Sequence, residues 1–428
     1  MSCIPLLLSR RCWSFAFEGI ERLGEEYPEE LRLNPIGREL LMTWMGKAQQ
    51  IRRQNRKVNT VAGKLFSMLR EDGMRCCVLK GQGNALMYPN PYSRTPGDID
   101  VWIDASRERI MEYVQKKFEL EEDIRLQHLE TSLDGVPVEL HFFPCSMNNP
   151  IYHARLQKWF RRNADLQCSH IVRLPDGAGD IAIPTTAFNV IYQLTHLYHH
   201  FFDEGIGMRQ IIDYFLVVND FSKNVFLNND LSNHPVNFSN HPVPLSKEGS
   251  TFSPSPSSSG SGDVTAPSRC SEPLRSKDGG PSKVSPDCAG WDRLAIEGDN
   301  SAGSTTVVTF SASTALVVVQ RELKHLGLWK FAGAVMYVQH EALGLSEEKM
   351  IAPMDEKRGK LLLAEILNGG NFGQHFTKYG HFTQQGMAKK YFLKIWRNMH
   401  FVRYFPAEAL SEPIFRTWHF FWRLKHRR

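Results

Sequence analysis

The sequence predicts an α+β protein in which a few short strands give way to helices, and three observations carry that expectation. Gly97-Asp98-Ile99-Asp100-Val101-Trp102-Ile103 and Val136-Pro137-Val138-Glu139-Leu140-His141-Phe142 alternate apolar and polar side chains, the pattern of a half-buried strand. After Pro184 the apolar spacing becomes helical. Between two such helical stretches, residues 222–306 are rich in Ser, Pro, Gly and Asn, and Ser232-Asn233-His234-Pro235 recurs as Ser239-Asn240-His241-Pro242. Such a segment buries too little apolar surface to offset its conformational entropy, so a disordered insertion inside a helical domain is expected.

Each element follows from local pattern. Leu40, Leu41, Trp44, Val61, Leu65, Phe66 and Leu69 recur at helical spacing from about Gly37 to Leu69. Arg75-Cys76-Cys77-Val78-Leu79 reads as a strand entering a turn at Lys80-Gly81-Gln82-Gly83, with a short helix up to Tyr88-Pro89. Pro89, Pro91 and Pro96 force an extended loop, and the Asp98 strand follows. Ser106 is suited to cap a helix through Phe118. Leu126–Thr131 and Val136–Phe142 form a hairpin around Asp134-Gly135. Thr185 to Phe202 and Met208 to Val218 are helical. Amphipathic helices resume at Ala315, with more at Lys357–Leu367 and Met387–His400 before a tail that mixes aromatics with Arg and Lys. The expected organisation is a helical region at 1–74, an α+β domain at 75–180, a helical domain split into 181–221 and 307–428, and the insertion at 222–306.

The chain has 428 residues, 42% of them apolar, enough for a substantial core, and its net charge of +5 does not mark a nucleic-acid binder. The 8 cysteines form no C-x-x-C pair, so neither a zinc site nor a disulfide framework is favoured. Pro5-Leu6-Leu7-Leu8 precedes Arg10 and Arg11, the wrong order for a signal segment. No apolar run approaches the roughly 20 residues that span a bilayer. A cytoplasmic protein with no membrane association is expected.

Side chains two apart on a strand share a face, so Asp98 and Asp100 point one way while Ile99 and Val101 enter the core. Two like charges this close repel, and a divalent cation with oxygen ligands is their simplest neutraliser. Glu139, central in the second strand, supplies a third acid.

Leu79-Lys80-Gly81, Tyr88-Pro89, Arg94, Gly97-Asp98-Ile99-Asp100, Glu139-Leu140-His141 and Gly205-Ile206-Gly207-Met208-Arg209-Gln210-Ile211-Ile212-Asp213 together resemble a bacterial family of uncharacterised nucleotidyltransferases. The strand–turn–helix order also resembles the wider fold shared by polymerase β-like enzymes, aminoglycoside nucleotidyltransferases and poly(A) polymerases. The likeness spans roughly residues 60–220. It implies a small mixed-sheet nucleotidyltransferase domain that transfers a nucleoside monophosphate from an NTP such as ATP. The acceptor would be a hydroxyl of a small molecule, a protein side chain or an RNA end. It further implies that Asp98, Asp100 and Glu139 are catalytic and hold two Mg²⁺ (or Mn²⁺) ions. Gly81 and Gly83 would let backbone N–H groups approach the phosphates, with Lys80 and Arg94 as further phosphate contacts. The wider fold carries a serine hydroxyl at the turn. Here the residue is Gln82, whose amide would have to substitute.

Blander readings stand beside these. Arg94 could pair with Asp98. His196 and His200 share a helix face, but no acid lies between them in the zinc-protease manner, so packing or hydrogen bonding is favoured over metal ligation. Arg209 and Asp213 read as a helix-surface ion pair. Trp418, Trp422, Arg423, Lys425, Arg427 and Arg428 read as a closing amphipathic helix. Two other functions fit parts of the pattern: a non-catalytic binding module on the same fold, and a glycosyltransferase using Asp-x-Asp with Mn²⁺, which needs a longer α/β region upstream.

Overall fold

The computed structural model describes residues 13–33, 35–118, 125–203, 205–230, 312–369 and 387–426. Nearly all of the low-complexity segment, and Arg427 and Arg428, lie outside the described residues. Helices α1 (Trp13–Glu26) and α2 (Pro28–Leu33) lead to a long α3 (Arg38–Glu71). A four-stranded sheet follows, built from β1 (Cys76–Leu79), β2 (Ile99–Ile103), β3 (His128–Leu133) and β4 (Val136–His141) in the order β1-β2-β4-β3. The sheet is mixed: β2 runs parallel to β4 and antiparallel to β1, and β3 is antiparallel to β4. Short helix α4 (Gly81–Ala85) connects β1 toward β2, and α5 (Arg107–Lys117) follows β2.

Strand periodicity explains how the sheet separates two cores. Ile99, Val101 and Ile103 pack with Val58, Ala62, Leu65 and Leu69 of α3 and with Ile110 and Val114 of α5. Each such fully buried aliphatic side chain contributes about 1.5–3 kcal/mol. The intervening Trp102 points the other way and stacks on Phe188, with ring centroids 6.2 Å apart. Asp100, two residues earlier, shares that face. Both faces of β2 are therefore covered, and all five of its residues are buried.

Several local expectations hold. Ser106 Oγ accepts from Arg109 N at 3.3 Å at the start of α5. Asp134 and Gly135 both have positive φ, 51° and 71°, as a tight primed hairpin turn demands. Because that turn pairs Leu133 with Val136, β3 runs up to it and starts at His128, two residues later than expected.

The second core is helical. It combines α6 (Pro150–Ser169), α7 (Thr186–Asp203), α8 (Met208–Asp230), α9 (Ala312–His325), α10 (Trp329–Leu343) and α11 (Glu356–Gly369). Helices α12 (Met387–Met399) and α13 (Pro406–His426) complete the described chain. Helix α8 continues to Asp230, past the expected start of the insertion at 222. Phe221 and Val225 keep the helical apolar spacing and enter the core, and Ser222 Oγ donates to Lys349 O at 3.0 Å. Helix α6 and the two-stranded sheet of β5 (Ile171–Arg173) and β6 (Asp180–Ala182) lie where the sequence reading placed nothing. Among the described residues, no helix is long and apolar enough to cross a membrane, and Cys76, Cys77, Cys145 and Cys168 are free thiols.

Candidate active site

A pocket of about 440 Å³ opens at the ends of β1, β2 and β4 and is walled by α7 and the start of α8. Its acids are placed by strand register. Asp100 lies directly opposite Glu139 on the parallel neighbour β4 and opposite Leu79 on β1. Asp98 precedes β2 by one residue, at the exposed rim. All three acids line the pocket.

Their electrostatics show how crowded the site is. The charge of Asp100, with burial and Glu139, pushes the Asp98 carboxyl up to about 6. Burial would also raise Asp100, but Lys80 and His141 hold it well below the usual carboxylate range. Lys80 Nζ lies 3.1 Å from Asp100 Oδ1. His141 Nε2 bridges the strands, 3.0 Å from Asp100 Oδ1 and 3.2 Å from Glu139 Oε2. Burial disfavours its charge, yet those two carboxylates raise the imidazole to about 9. Burial would raise Glu139, but the hydrogen bond from His141 together with the neighbouring imidazoles draws it below its ordinary value.

Lys80 reaches Asp100 because the backbone reverses sharply at the end of β1. Lys80 itself adopts φ 51° and ψ −128°, followed by Gly81 at φ 38°. A lysine in that region is strained. Its ammonium also contacts His196 Nε2 at 2.8 Å, and His196 Nε2 lies 3.1 Å from His200 Nε2. Burial first, and then the Lys80 charge, pushes His196 well below its ordinary value. It is therefore a neutral acceptor, and α7 presents its histidines to the pocket as hydrogen-bonding groups.

The other expected phosphate contacts are differently engaged. The Gln82 amide donates to Asn59 Oδ1 in the interior, and neither Gln82 nor Gly83 lines the pocket. A Cβ at Gly83 would stand 3.0 Å from Ile183 Cγ2, so this glycine serves helix packing. The Arg94 guanidinium grips Asp213 through Nε and Nη2, at 3.0 and 2.9 Å, and Tyr88 Oη donates to the same carboxylate at 2.7 Å. Both charged partners are buried. The expected Arg209–Asp213 surface pair is thus replaced by Arg94–Asp213, because the loop before β2 packs against α8.

That exchange leaves Arg209 as a residue that spacing alone misassigns. Its Nη1 donates to Thr95 O at 3.2 Å, while its buried Nε has no hydrogen-bond partner among the described residues. Burial and the neighbouring Arg94 lower its affinity for its proton. A guanidinium so placed beside Asp98 is suited to an anion. At the far wall, Asp203 at the end of α7 is held by Lys394 of α12 at 3.0 Å and by Arg416 of α13 at 2.8 Å.

A mixed sheet with a lysine–glycine turn after β1 and acids on β2 and β4 defines the chain as a nucleotidyltransferase-fold protein. A family model described as uncharacterised nucleotidyltransferase matches residues 19–232, and the chain belongs to that family. The match extends the resemblance back through α3 and into α1. The crystal structure of an antigenic nucleotidyltransferase-like protein from Paracoccidioides brasiliensis is similar at 16% identity, with a TM-score of 0.26, over 38% of this chain and 75% of that one. No curated protein matches the chain.

Proposed function

We propose that this protein is a metal-dependent nucleotidyltransferase that acts in the cytoplasm. It would move a nucleoside monophosphate from an NTP to a hydroxyl of a small molecule, a protein or an RNA. The observation that carries this reading is the register that sets Asp100 against Glu139, with Asp98 at the same rim. The donor set fits hard cations: three carboxylates line one pocket, and the charges of Asp100 and Glu139 act on Asp98. Asp98, Asp100 and Glu139 would hold two Mg²⁺ or Mn²⁺ ions, which when bound neutralise the triphosphate and activate the acceptor hydroxyl.

The chain's own groups account for the rest. Lys80 and Arg209 supply positive charge to the pocket that Asp98 lines and suit the β- and γ-phosphates. Gly81 allows the backbone to approach the same phosphates. Arg94 orders the wall through Asp213 rather than meeting the nucleotide. Glu139 orients the acceptor, and the histidines of α7 offer neutral donors and acceptors to it.

The test is Asp98→Asn, which keeps the side chain's size. The wild type should bind an NTP in the presence of Mg²⁺ or Mn²⁺ and transfer label from it to a component of a cell extract. The variant should lose both with its thermal transition intact. Equal NTP binding and transfer in the two proteins would remove the reading. The absence of a hydroxyl at the Lys80–Gly83 turn favours one alternative, a non-catalytic binding module, and failure of the wild type to bind any NTP with either metal selects it. Stabilisation by nucleotide sugars but not by NTPs would select a glycosyltransferase.

A further inference from the structure

We propose that His128, Glu139 and His141 form a nitrogen-containing site for a first-row transition-metal ion of the Zn²⁺ type, beside the aspartate pair. All three come from one hairpin. The β3–β4 register sets His128 directly opposite His141, and Glu139 lies two residues before His141 on the same face. One ligand atom from each residue lies within 4.8 Å of the others. Both imidazoles converge on one oxygen: Glu139 Oε2 is 3.2 Å from His141 Nε2 and 3.6 Å from His128 Nδ1.

His128 is the independent sign of a missing ligand. Its two ring nitrogens are buried and have no hydrogen-bond partner among the described residues. The contacts to Glu139 and Glu130 are both 3.6 Å, beyond hydrogen-bond length. Buried polar atoms are nearly always satisfied, so an orphaned imidazole facing a carboxylate and a second imidazole needs an explanation. The two rings are 5.0 Å apart between centroids and tilted by 49°, with the Glu139 carboxylate facing both.

Ligand chemistry then separates this site from the oxygen-only acids. Imidazole suits Zn²⁺ and the other later first-row ions, whereas Mg²⁺ and Mn²⁺ favour oxygen ligands. The hairpin site would therefore bind the transition ions selectively. It shares Glu139 with the nucleotidyl-transfer reading but does not require that reading to hold.

The experiment titrates tag-free, chelator-treated full-length protein with Co²⁺ and follows its visible d–d absorption. One Co²⁺ per chain should bind, be displaced by Zn²⁺, and resist a large excess of Mg²⁺. His128→Ala should weaken Co²⁺ binding by about tenfold or more, the usual effect of losing a ligand or its support. No d–d spectrum in the wild type, or equal affinity in wild type and His128→Ala, overturns the proposal. If His128→Ala loses its thermal transition, His128→Phe keeps the ring's bulk without its nitrogens and answers the same question. An NTP-binding failure with a normal Co²⁺ titration would remove the transfer reading while supporting this site.

Discussion

Asp100 is almost completely buried and relies on two cations that approach from different elements, Lys80 from the β1 turn and His141 from β4. A buried carboxylate that loses one such partner retains its desolvation cost. Lys80→Met, which keeps the chain's length and strained backbone, should therefore destabilise the protein by about 3 kcal/mol in the presence of a chelator. Urea unfolding monitored by circular dichroism measures it. A change below the error of the fit would mean that His141 alone neutralises Asp100. At this scale the three acids were legible in the sequence, because an alternating strand announces which side chains share a face. The choice of partner for Asp213 was not. Arg209 stands four residues before it on the same helix, but Arg94, far away in sequence, wins through an approach that only the folded chain creates.

At the scale of elements, β1, β2, β4, α3 and α7 are legible because their apolar positions repeat with one period over enough residues to be read. Strands β5 and β6 are three residues each, too short for any period, and α6 carries charged residues between its buried positions. The close packing of α3 is also invisible in the sequence, since it rests on a helical glycine. A Cβ at Gly63 would stand 2.0 Å from the carbonyl oxygen of Ala178, in the connection between β5 and β6. Backbone cannot yield as a flexible side chain would. Gly63→Ala, favourable on helix propensity alone, should instead destabilise by about 1–3 kcal/mol. Chemical denaturation of the variant checks this, and a gain in stability would show that the β5–β6 sheet moves freely against α3. Gln82 illustrates the same limit: its amide was a plausible phosphate donor by position, but α3 supplies Asn59 and takes it inward.

Over the whole molecule, the pocket's helical wall depends on the far end of the chain. Glu408 of α13 accepts hydrogen bonds from Asn148 N at 2.5 Å and Asn149 N at 3.2 Å, satisfying backbone donors at the start of α6. Together with the Asp203 ion pairs, this fastens α13 across α6 and the end of α7, where His199 and His200 face the pocket. Burial pushes the Glu408 carboxyl up to about 7 from its ordinary 4.5, with the like charge of Glu412 adding to it and the backbone donors opposing it. The folded protein therefore holds this proton more tightly than the unfolded chain does. Stability from this group is fully present below about pH 4.5 and is lost progressively as pH rises through about 7, a change on the order of 3 kcal/mol. Glu408→Gln keeps an oxygen acceptor and cannot titrate, so its stability should not decline over that window. Thermal melting of wild type and variant between pH 5 and 8 should show the wild type falling relative to Glu408→Gln as pH rises, with the curves parallel above pH 8. Parallel curves throughout would mean that Glu408 is already ionised at pH 5, held so by the two amides, and that α13 is pinned by charge as much as by packing.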